Sequence, residues 1–372
     1  MRVALVIERF EPRGGVERVA WQVAHGLAEA GDEVHVVARK ASASEAVQLH
    51  LVRVASTWQP WRVLAFSNGA ARAAPRGAFD VVHSFSRTRH QDLFRAGGGS
   101  HADSMERHYG GPAGRGFGLA WRRWSPRHRV LLAIERQVFA DASQLIQCNS
   151  RMVQRELMRR YAIPDERFVL LYNGVDLERF HPSRRATEGA LLRTELGAGN
   201  APVWLFVGSG FRRKGLDTAL RAFAAARGDA ALWVAGGDDT NDWRSAARAL
   251  GVAARVRWLG TRRDVAALCA AADALILPTR YDAFANVCLE AAAAGIPVVT
   301  SASNGAAEIL TDGGIVVRNA EDDAGFARAL ERLADPAERG ARGIAARSVA
   351  EQYGWPQHIN ALRALYARIA RR

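Results

Sequence analysis

The sequence has few of the residues that build disulfide frameworks, metal clusters or membrane spans. Its three cysteines, Cys148, Cys269 and Cys288, are scattered and lack the spacing of a metal site. This usage is typical of a reducing compartment. No apolar run reaches the length of a membrane-spanning helix, and the first residues lack a cleavable signal pattern. We therefore expect a cytoplasmic protein without a disulfide framework.

Lysine is also scarce, because Lys40 and Lys214 are the only lysines among 51 basic residues. The formal net charge of +13 indicates an acidic partner, such as nucleic acid, anionic lipid or a phosphorylated glycan. Lys214 lies in a turn flanked by glycine, where a compact ammonium can reach a phosphate that a planar guanidinium does not fit. The alternative is that lysine stands there by chance.

The length of 372 residues exceeds the size at which one core usually keeps growing, so we expect two domains. Strand-like runs alternate with helical patterns in two consecutive series, which predicts two doubly wound α/β domains. The boundaries we predict are 1–178 for the first domain and 201–354 for the second, with a polar, irregular linker at 179–200. The predicted strands cover residues 2–7, 33–38, 49–54, 81–84, 93–96, 144–149, 168–171, 203–207, 231–235, 256–259, 274–277, 297–300 and 314–317.

Glycines mark two loops of the first series. Gly14 and Gly15 follow the first strand and precede a helix predicted at 16–30, where backbone amides can approach a phosphate or sugar hydroxyls. A dinucleotide fingerprint would need a third glycine and a later acid, and neither is clear. A run of three glycines, 97–99, shortly precedes His101 and places an imidazole at a strand end, where ligands bind in open sheets. An incidental histidine on a surface loop is the alternative.

The stretch from Arg115 to Phe139 is basic and aromatic. Such a mixture could bind an anionic membrane surface or a charged acceptor. Nucleic acid could use it through phosphate contacts and stacking, and a long solvated helix remains a further alternative.

The stretch from residue 271 to residue 300 reads as strand, loop, helix and strand. Asp282 in the loop and Glu290 in the helix are eight positions apart, so they can line one helix face. The amides of Ala285, Asn286 and Val287 would then be free at the helix start, a place suited to an anion. The alternative is an amphipathic helix with an acidic cap.

A cationic turn, the one that contains Lys214, follows the strand predicted at 203–207. Gly208, Gly210, Arg213, Lys214 and Gly215 concentrate amides and positive charge as a diphosphate requires, although this is not a Walker loop. Placed beside Asp282 and Glu290 at the same sheet edge, the turn predicts a site in which cations hold a diphosphate and Glu290 accepts from ribose hydroxyls. No Asp-x-Asp pair accompanies it, so we expect no divalent metal.

These residues together resemble the family-4 retaining glycosyltransferases of GT-B fold over nearly the whole chain. The resemblance rests on the opening loop Gly14-Gly15-Val16-Glu17, the strand Asp80-Val81-Val82-His83, the signature Asn173-Gly174-Val175-Asp176 with Phe180 and Pro182, the turn Arg213-Lys214-Gly215, and the acidic motif Asp282 to Glu290 with Ala291, Gly295, Pro297 and Val298. It implies two Rossmann-like domains facing across a cleft, an acceptor-binding first domain, a nucleotide-sugar-binding second domain, and a C-terminal helix at 355–372 that crosses back to the first.

The resemblance also implies a metal-independent transfer of a hexose from a UDP-sugar, without a cofactor, by front-face attack that retains the anomeric configuration. It implies catalytic roles for Asp282, His101 and Lys214. Residues implied in donor binding are Gly14, Gly15, Glu17, Gly210, Arg213, Lys214, Phe284, Ala285, Asn286, Val287 and Glu290.

Within the family, the segments 95–101 and 208–217 are similar to lipopolysaccharide core glucosyltransferases. That likeness implies UDP-glucose as donor, a heptose of a lipid-linked glycan as acceptor, and work at the inner face of the cytoplasmic membrane. The sequence departs from the pattern at Asp282, where glutamate is usual, at Ala285, where glycine is usual, and at Gly98, where aspartate is expected. Transfer of another sugar to another glycan, a non-catalytic peripheral membrane or nucleic-acid-binding protein, and nucleotide-sugar epimerisation remain alternatives, with nucleic acid the less favoured partner.

Overall fold

The computed structural model describes residues 1–54, 58–109 and 125–371 and divides into two compact units. The first unit is Met1–Asn173 with Trp355–Arg372, and the second is Gly174–Gly354. The chain therefore leaves the first unit after Asn173 and returns to it at Trp355.

The first unit is an alternating series of parallel strands and helices. Its strands are β1 (Arg2–Phe10), β2 (Glu33–Ala41), β3 (Gln48–Leu51), β4 (Val81–Ser84), β5 (Leu93–Arg95), β6 (Leu145–Cys148) and β7 (Phe168–Leu170). Its described helices are α1 (Val16–Glu29), α2 (Gln59–Ala73), α3 (His101–Tyr109), α4 (Pro126–Ala140) and α5 (Arg151–Tyr161), joined at the end of the chain by α14 (Trp355–Ile369).

The second unit repeats this organisation. Its strands are β8 (Val203–Val207), β9 (Ala231–Ala235), β10 (Val256–Gly260), β11 (Ala274–Leu277), β12 (Val298–Ser301) and β13 (Gly314–Val317). Its helices are α6 (Glu188–Glu195), α7 (Phe211–Lys214), α8 (Leu216–Ala225), α9 (Asn241–Ala249), α10 (Val265–Ala271), α11 (Asn286–Ala293), α12 (Asp323–Ala334) and α13 (Pro336–Ala350). Every strand predicted from the sequence is confirmed within a few residues.

The strand order places one switch point in each sheet. The first sheet runs β3-β2-β1-β4-β5-β6-β7 and the second β10-β9-β8-β11-β12-β13, with parallel pairing throughout the described strands. In each sheet the order reverses beside the first strand, between β1 and β4 and between β8 and β11. Because loops leave neighbouring strands in opposite directions there, a crevice opens at the carboxyl ends, which is where open α/β sheets bind ligands.

The core of the first unit shows why β1 is buried on both faces. Val3, Leu5 and Ile7 pack with α1 and α14 on one face, and Ala4 and Val6 pack with α2 on the other. Alternate residues of a strand point to opposite faces, so a continuous run of apolar residues fits a strand covered on both sides.

The segment between residues 174 and 200 belongs to the second unit. Where the sequence indicates an irregular linker, the structure has a short 3-10 helix, Pro182–Ala186, and helix α6. Leu192 of α6 is buried, and Arg185 and Arg193 both pair with the buried carboxylate of Asp273. These contacts stabilise the regular structure of a segment whose polar composition predicts an irregular linker.

The hydroxyl of Tyr366 in α14 lies 2.7 Å from Nδ1 of His83 in β4, and both side chains are fully buried. We expect Tyr366→Phe to lower the free energy of unfolding by about 1–3 kcal/mol, because it leaves a buried ring nitrogen without this partner. Urea unfolding followed by circular dichroism measures the change. Tyr366→Phe made in a His83→Leu background should cost much less, and an equal cost in both backgrounds would contradict the interaction.

Candidate functional site

The switch point of the second sheet brings together the two stretches that the sequence singled out. Helix α7 follows β8 after Gly208 and Gly210, and the loop that carries Asp282 follows β11, which pairs directly with β8. Gly215 ends α7 at a φ of 78°, and a Cβ there would lie 1.9 Å from the carbonyl oxygen of Pro278. The cationic turn therefore packs closely on the acidic loop at a position that only glycine fits.

Lys214 and Arg213 both contact the carboxylate of Asp282. Lys214 Nζ donates to Asp282 Oδ2 at 2.5 Å, and Arg213 Nη1 donates to the same oxygen at 3.2 Å. The side chain of Asp282 is 15% exposed and that of Lys214 is 10% exposed. Two cations thus converge on one oxygen of a largely buried carboxylate. The negative charge of Asp282 offsets part of the positive charge that these cations offer to an anionic ligand.

The electrostatics of Asp282 follow from this arrangement. Burial raises the pKa of its carboxyl, but the charge and hydrogen bond of Lys214, followed by those of Arg213, outweigh burial and leave the pKa below its usual value. Asp282 is therefore ionised at neutral pH, and it can exchange partners with an incoming anion without a proton transfer.

The backbone around Asp282 is held by a residue that sequence reasoning missed. Asn304, just after β12, accepts from the amide of Ala285 at 3.1 Å and donates to Thr300 Oγ1 at 3.1 Å. Asp282 and Asn304 also form an isolated parallel bridge. The Ser303-Asn304-Gly305 turn signal at a strand end could have indicated Asn304.

Helix α11 begins one residue later than the sequence indicated. The expectation of a free amide at Ala285 is wrong, because Asn304 accepts from it, while Phe284 donates to Asp282 Oδ1 at 3.2 Å. Phe284 and Ala285 are buried. The other three predicted members lie on α11, with Asn286 and Val287 at its start and Glu290, 7% exposed, one turn deeper.

The amide of Gly210 has a partner in the structure. Gly210 and Phe211 donate to the two carboxylate oxygens of Asp238 at 2.9 and 2.7 Å. Asp238 therefore orients the turn from which Arg213 and Lys214 project, and it was not among the residues predicted from the sequence. Its signal is an acidic pair directly after the β9 strand, Asp238-Asp239.

The first unit has its own cavity, of about 350 Å³, at the switch point of its sheet. Glu8 and Arg9 of β1, Ser86 and Arg87 beyond β4, and Glu17 of α1 contribute to its lining, as do Gly97, Gly98, Gly99 and His101. Gly14 and Gly15 precede α1, and the φ of 91° at Gly14 lies in the left-handed region that favours glycine. The sequence-predicted residues of this unit therefore gather at one sheet edge.

His101 begins α3 and stacks on His128 of α4, with Nε2 of His101 3.0 Å from Nδ1 of His128. Burial, followed by the charge of Arg87, lowers the pKa of His101 to about 4 against an opposing effect of Glu135. The ring of His101 is therefore uncharged at neutral pH, which suits contact with sugar hydroxyls better than with phosphate.

Glu135 holds the start of α3 and is a third residue that the sequence did not reveal. Its carboxylate accepts from the amide of His101 at 2.6 Å, from Ala102 at 3.3 Å and from Ser100 Oγ at 3.2 Å. An ordinary Glu within a helical pattern carries no sequence signal of such a contact, because it depends on how α4 packs on α3.

The basic stretch from Arg115 to Phe139 is only partly described, since residues 115–124 lie outside the described residues. Its later part forms α4, on which Arg127 and Arg129 are exposed. Within the described residues, no helix is both long and apolar enough to cross a membrane. In the same part of the chain, no group of three His, Cys, Asp or Glu side chains is placed to hold a metal ion.

Asp282→Asn should make stability less sensitive to acid. The pKa of Asp282 is lower in the folded protein than in the unfolded chain, so the unfolded chain takes up the proton first and stability falls as pH drops below about 4. The variant lacks this carboxyl, so its deficit relative to the parent protein should shrink between pH 5 and pH 3, read as urea midpoints. Asp229→Asn, at an exposed position, is the control. A deficit constant across pH would contradict the pairing.

Two family models match the chain and leave little of it uncovered. Residues 13–179 match Glycosyltransferase Family 4, and residues 201–335 match Glycosyl transferases group 1. The lipopolysaccharide glucosyltransferase WaaG of Escherichia coli strain K12 is 27% identical over 321 residues, which span 84% of this chain and 83% of WaaG. A D-inositol 3-phosphate glycosyltransferase of Actinosynnema mirum is 31% identical over 329 residues, 82% of this chain and 77% of that protein.

Solved structures also match the chain over nearly its whole length. A crystal structure of WaaG, a glycosyltransferase involved in lipopolysaccharide biosynthesis, matches with a TM-score of 0.83 and 25% identity, covering 98% of this chain and 99% of that one. Anabaena HepE in complex with UDP and glucose matches in fold with a TM-score of 0.73 at 17% identity, covering 99% and 100% of the two chains. The chain is a glycosyltransferase of GT-B fold and belongs to family 4 of these enzymes.

Proposed function

We propose that this glycosyltransferase moves a hexose, glucose, from a UDP-sugar to a lipid-linked glycan such as the heptose of a lipopolysaccharide core, with retention and without a metal. The observation that carries the proposal is the convergence of Lys214 and Arg213 on Asp282 at the switch point of the second sheet. Fixed cations at this place can stabilise a diphosphate leaving group as its charge develops.

In the proposed reaction the bond from the sugar C1 to the diphosphate oxygen breaks, and a bond from C1 to the acceptor oxygen forms on the same face. The acceptor proton passes to the leaving phosphate. Lys214 and Arg213 exchange Asp282 for the diphosphate, while Glu290 accepts from ribose hydroxyls. Asp282, once released, accepts from hydroxyls of the donor sugar.

The names of similar proteins support the choice of sugar and nucleotide. WaaG is named for transfer of glucose to lipopolysaccharide, and HepE was solved with UDP and glucose. Asp282 is one methylene shorter than the glutamate usual at this position, which alters how the hydroxyls of the donor sugar are held.

For the acceptor, we propose the cavity of the first unit. Its lining has more arginines than acids, so an acceptor that carries phosphate is favoured. The five arginines are Arg9, Arg62, Arg87, Arg95 and Arg127, and the two acids are Glu8 and Glu17. The relative that acts on D-inositol 3-phosphate supports a soluble phosphorylated acceptor as the second candidate. We place the enzyme on the inner face of the cytoplasmic membrane, with the stretch from Arg115 to Phe139 contributing to attachment.

A panel of nucleotides tests the donor site. UDP and UDP-glucose at a hundred times their dissociation constant should stabilise the protein by about 2.7 kcal/mol, whereas ADP, GDP and TDP should not. Differential scanning fluorimetry reports the shift in melting temperature. The shift should disappear in Lys214→Ala and Glu290→Ala and persist in Lys40→Ala, which alters the other lysine of the chain. Equal stabilisation by all four diphosphates would argue against a uridine donor.

Lys214→Ala should lower kcat by about a hundredfold or more, because it removes a cation from the leaving group where charge develops. Transfer from labelled UDP-glucose to inner-core lipopolysaccharide and, separately, to D-inositol 3-phosphate supplies the assay and selects the acceptor. Lys40→Ala is the control. Near-normal turnover of Lys214→Ala would contradict the proposed role, and product of inverted configuration would contradict retention.

A further inference from the structure

Large apolar side chains are exposed in one short stretch before and at the start of α2. Leu51 is 62% exposed, Trp58 53% and Trp61 59%, and these are three of the six large hydrophobic residues exposed among those described. The indole rings of Trp58 and Trp61 lie 6.3 Å apart with planes inclined by 49°. We call Leu51, Trp58 and Trp61 the tryptophan patch.

The segment of chain that carries the tryptophan patch has charges of one sign, although in space Arg62 lies near Glu8 and Arg76 pairs with Asp92. Residues 46–79 contain four arginines, at positions 53, 62, 72 and 76, and no aspartate or glutamate. Arg53 and Arg72 are exposed. Tryptophan together with arginine and without acids is the composition of surfaces that lie at an anionic lipid interface, where the indole sits at headgroup level.

The patch lies at the rim of the first-unit cavity. Gln59, Arg62 and Val63 of α2 line that cavity, and so do Arg127 and Leu131 from the start of α4, on which α2 packs. Trp58 directly precedes Gln59 in the chain, and Trp61 follows it by two positions. A membrane that receives their rings would therefore lie next to the opening of the cavity. Leu51 is the last residue of β3, the outermost strand of this sheet. It therefore lies at the carboxyl ends of the strands, where the cavity also lies.

The helix that carries Trp61 is packed against the sheet. Phe66 and Ala70 of α2 are buried against the sheet, and Val52 packs where Gly69 has no side chain, since a Cβ there would lie 2.3 Å from Val52. Pro60 in the first turn sets the backbone that the helix start needs. The exposed rings therefore project from a packed helix end, so little further ordering is required on docking.

We propose that the tryptophan patch docks on an anionic phospholipid surface and presents the first-unit cavity to acceptors embedded in that surface. The proposal rests on the proposed lipid-linked acceptor and deepens it. It assigns attachment to the end of β3 and the start of α2, a surface separate along the chain from the stretch between Arg115 and Phe139. Leu51 favours lipid over nucleic acid, because an exposed aliphatic side chain inserts among acyl chains but offers no ring for a base to stack on.

Vesicle sedimentation of the full chain tests the docking. The parent protein should bind mixed phosphatidylglycerol and phosphatidylcholine vesicles, bind pure phosphatidylcholine vesicles much less, and release partly as salt is raised. Trp58→Ser with Trp61→Ser should lower the partition coefficient by about tenfold or more, since two interfacial rings are lost. Arg53→Gln should weaken binding to the anionic vesicles and leave binding to pure phosphatidylcholine vesicles unchanged.

Matched controls come from the second unit. Leu191 and Ile344 are 72% and 73% exposed, so Leu191→Ser with Ile344→Ser removes comparable apolar surface elsewhere and should leave vesicle binding unchanged, as should Arg328→Gln. Stabilisation by UDP should be the same in the tryptophan variant and the parent protein. Stabilisation by UDP tests the proposed donor, whereas vesicle binding tests the docking. If the proposed donor is wrong, UDP does not stabilise the parent protein, but the parent protein still binds vesicles.

Two results would overturn the docking proposal. One is vesicle binding by the double tryptophan variant within about twofold of the parent protein. The other is loss in that variant of binding to a single-stranded oligonucleotide, with no vesicle binding by the parent protein, which would assign the patch to nucleic acid.

Discussion

Parallel strands that reverse their order beside the first strand create the constraint on which both halves of this protein depend. At β1 and β4, and again at β8 and β11, the connections depart to opposite sides, so backbone cannot fill the space above the carboxyl ends. Side chains from the loops enter that space instead. In the second unit these are Lys214 and Asp282, and in the first unit they are arginines and His101.

The two crevices differ in how their charge is compensated. In the second unit, two cations share one oxygen of Asp282, so the carboxylate offsets part of their charge, and both cations can exchange it for a diphosphate. In the first unit, Arg39 and Arg62 both lie near Glu8, and Arg87 donates to Glu135 and to the carbonyl of Gly99. Each of these cations thus has an acidic partner in the structure, since burying a charge without one would be costly.

Residues that support the site follow a common pattern, although they come from different elements. Asn304 fixes the loop of Asp282, Asp238 fixes the turn of Lys214, and Glu135 fixes the start of α3 at His101. All three use a side-chain oxygen to accept backbone N–H groups near a helix start, where such donors have no partner within the helix. Local propensity shapes these loops only weakly, so bonds from distant parts of the chain determine their conformation.

Sequence by itself determined the alternating series of strands and helices, because burial on both faces requires continuous apolar runs and helix ends require glycine, proline or a capping residue. It also determined the positions of Lys214, Asp282, Glu290 and the glycines 14 and 15, since a single lysine or a tight turn is visible as residue type and spacing. Tertiary structure alone decided that Lys214 pairs with Asp282, that the amide of Ala285 is occupied, and that helix α6 is ordered where the chain is polar. These outcomes depend on contacts between residues about 20 to 90 positions apart, and neither periodicity nor local composition carries information about which distant groups the packing of a sheet brings together.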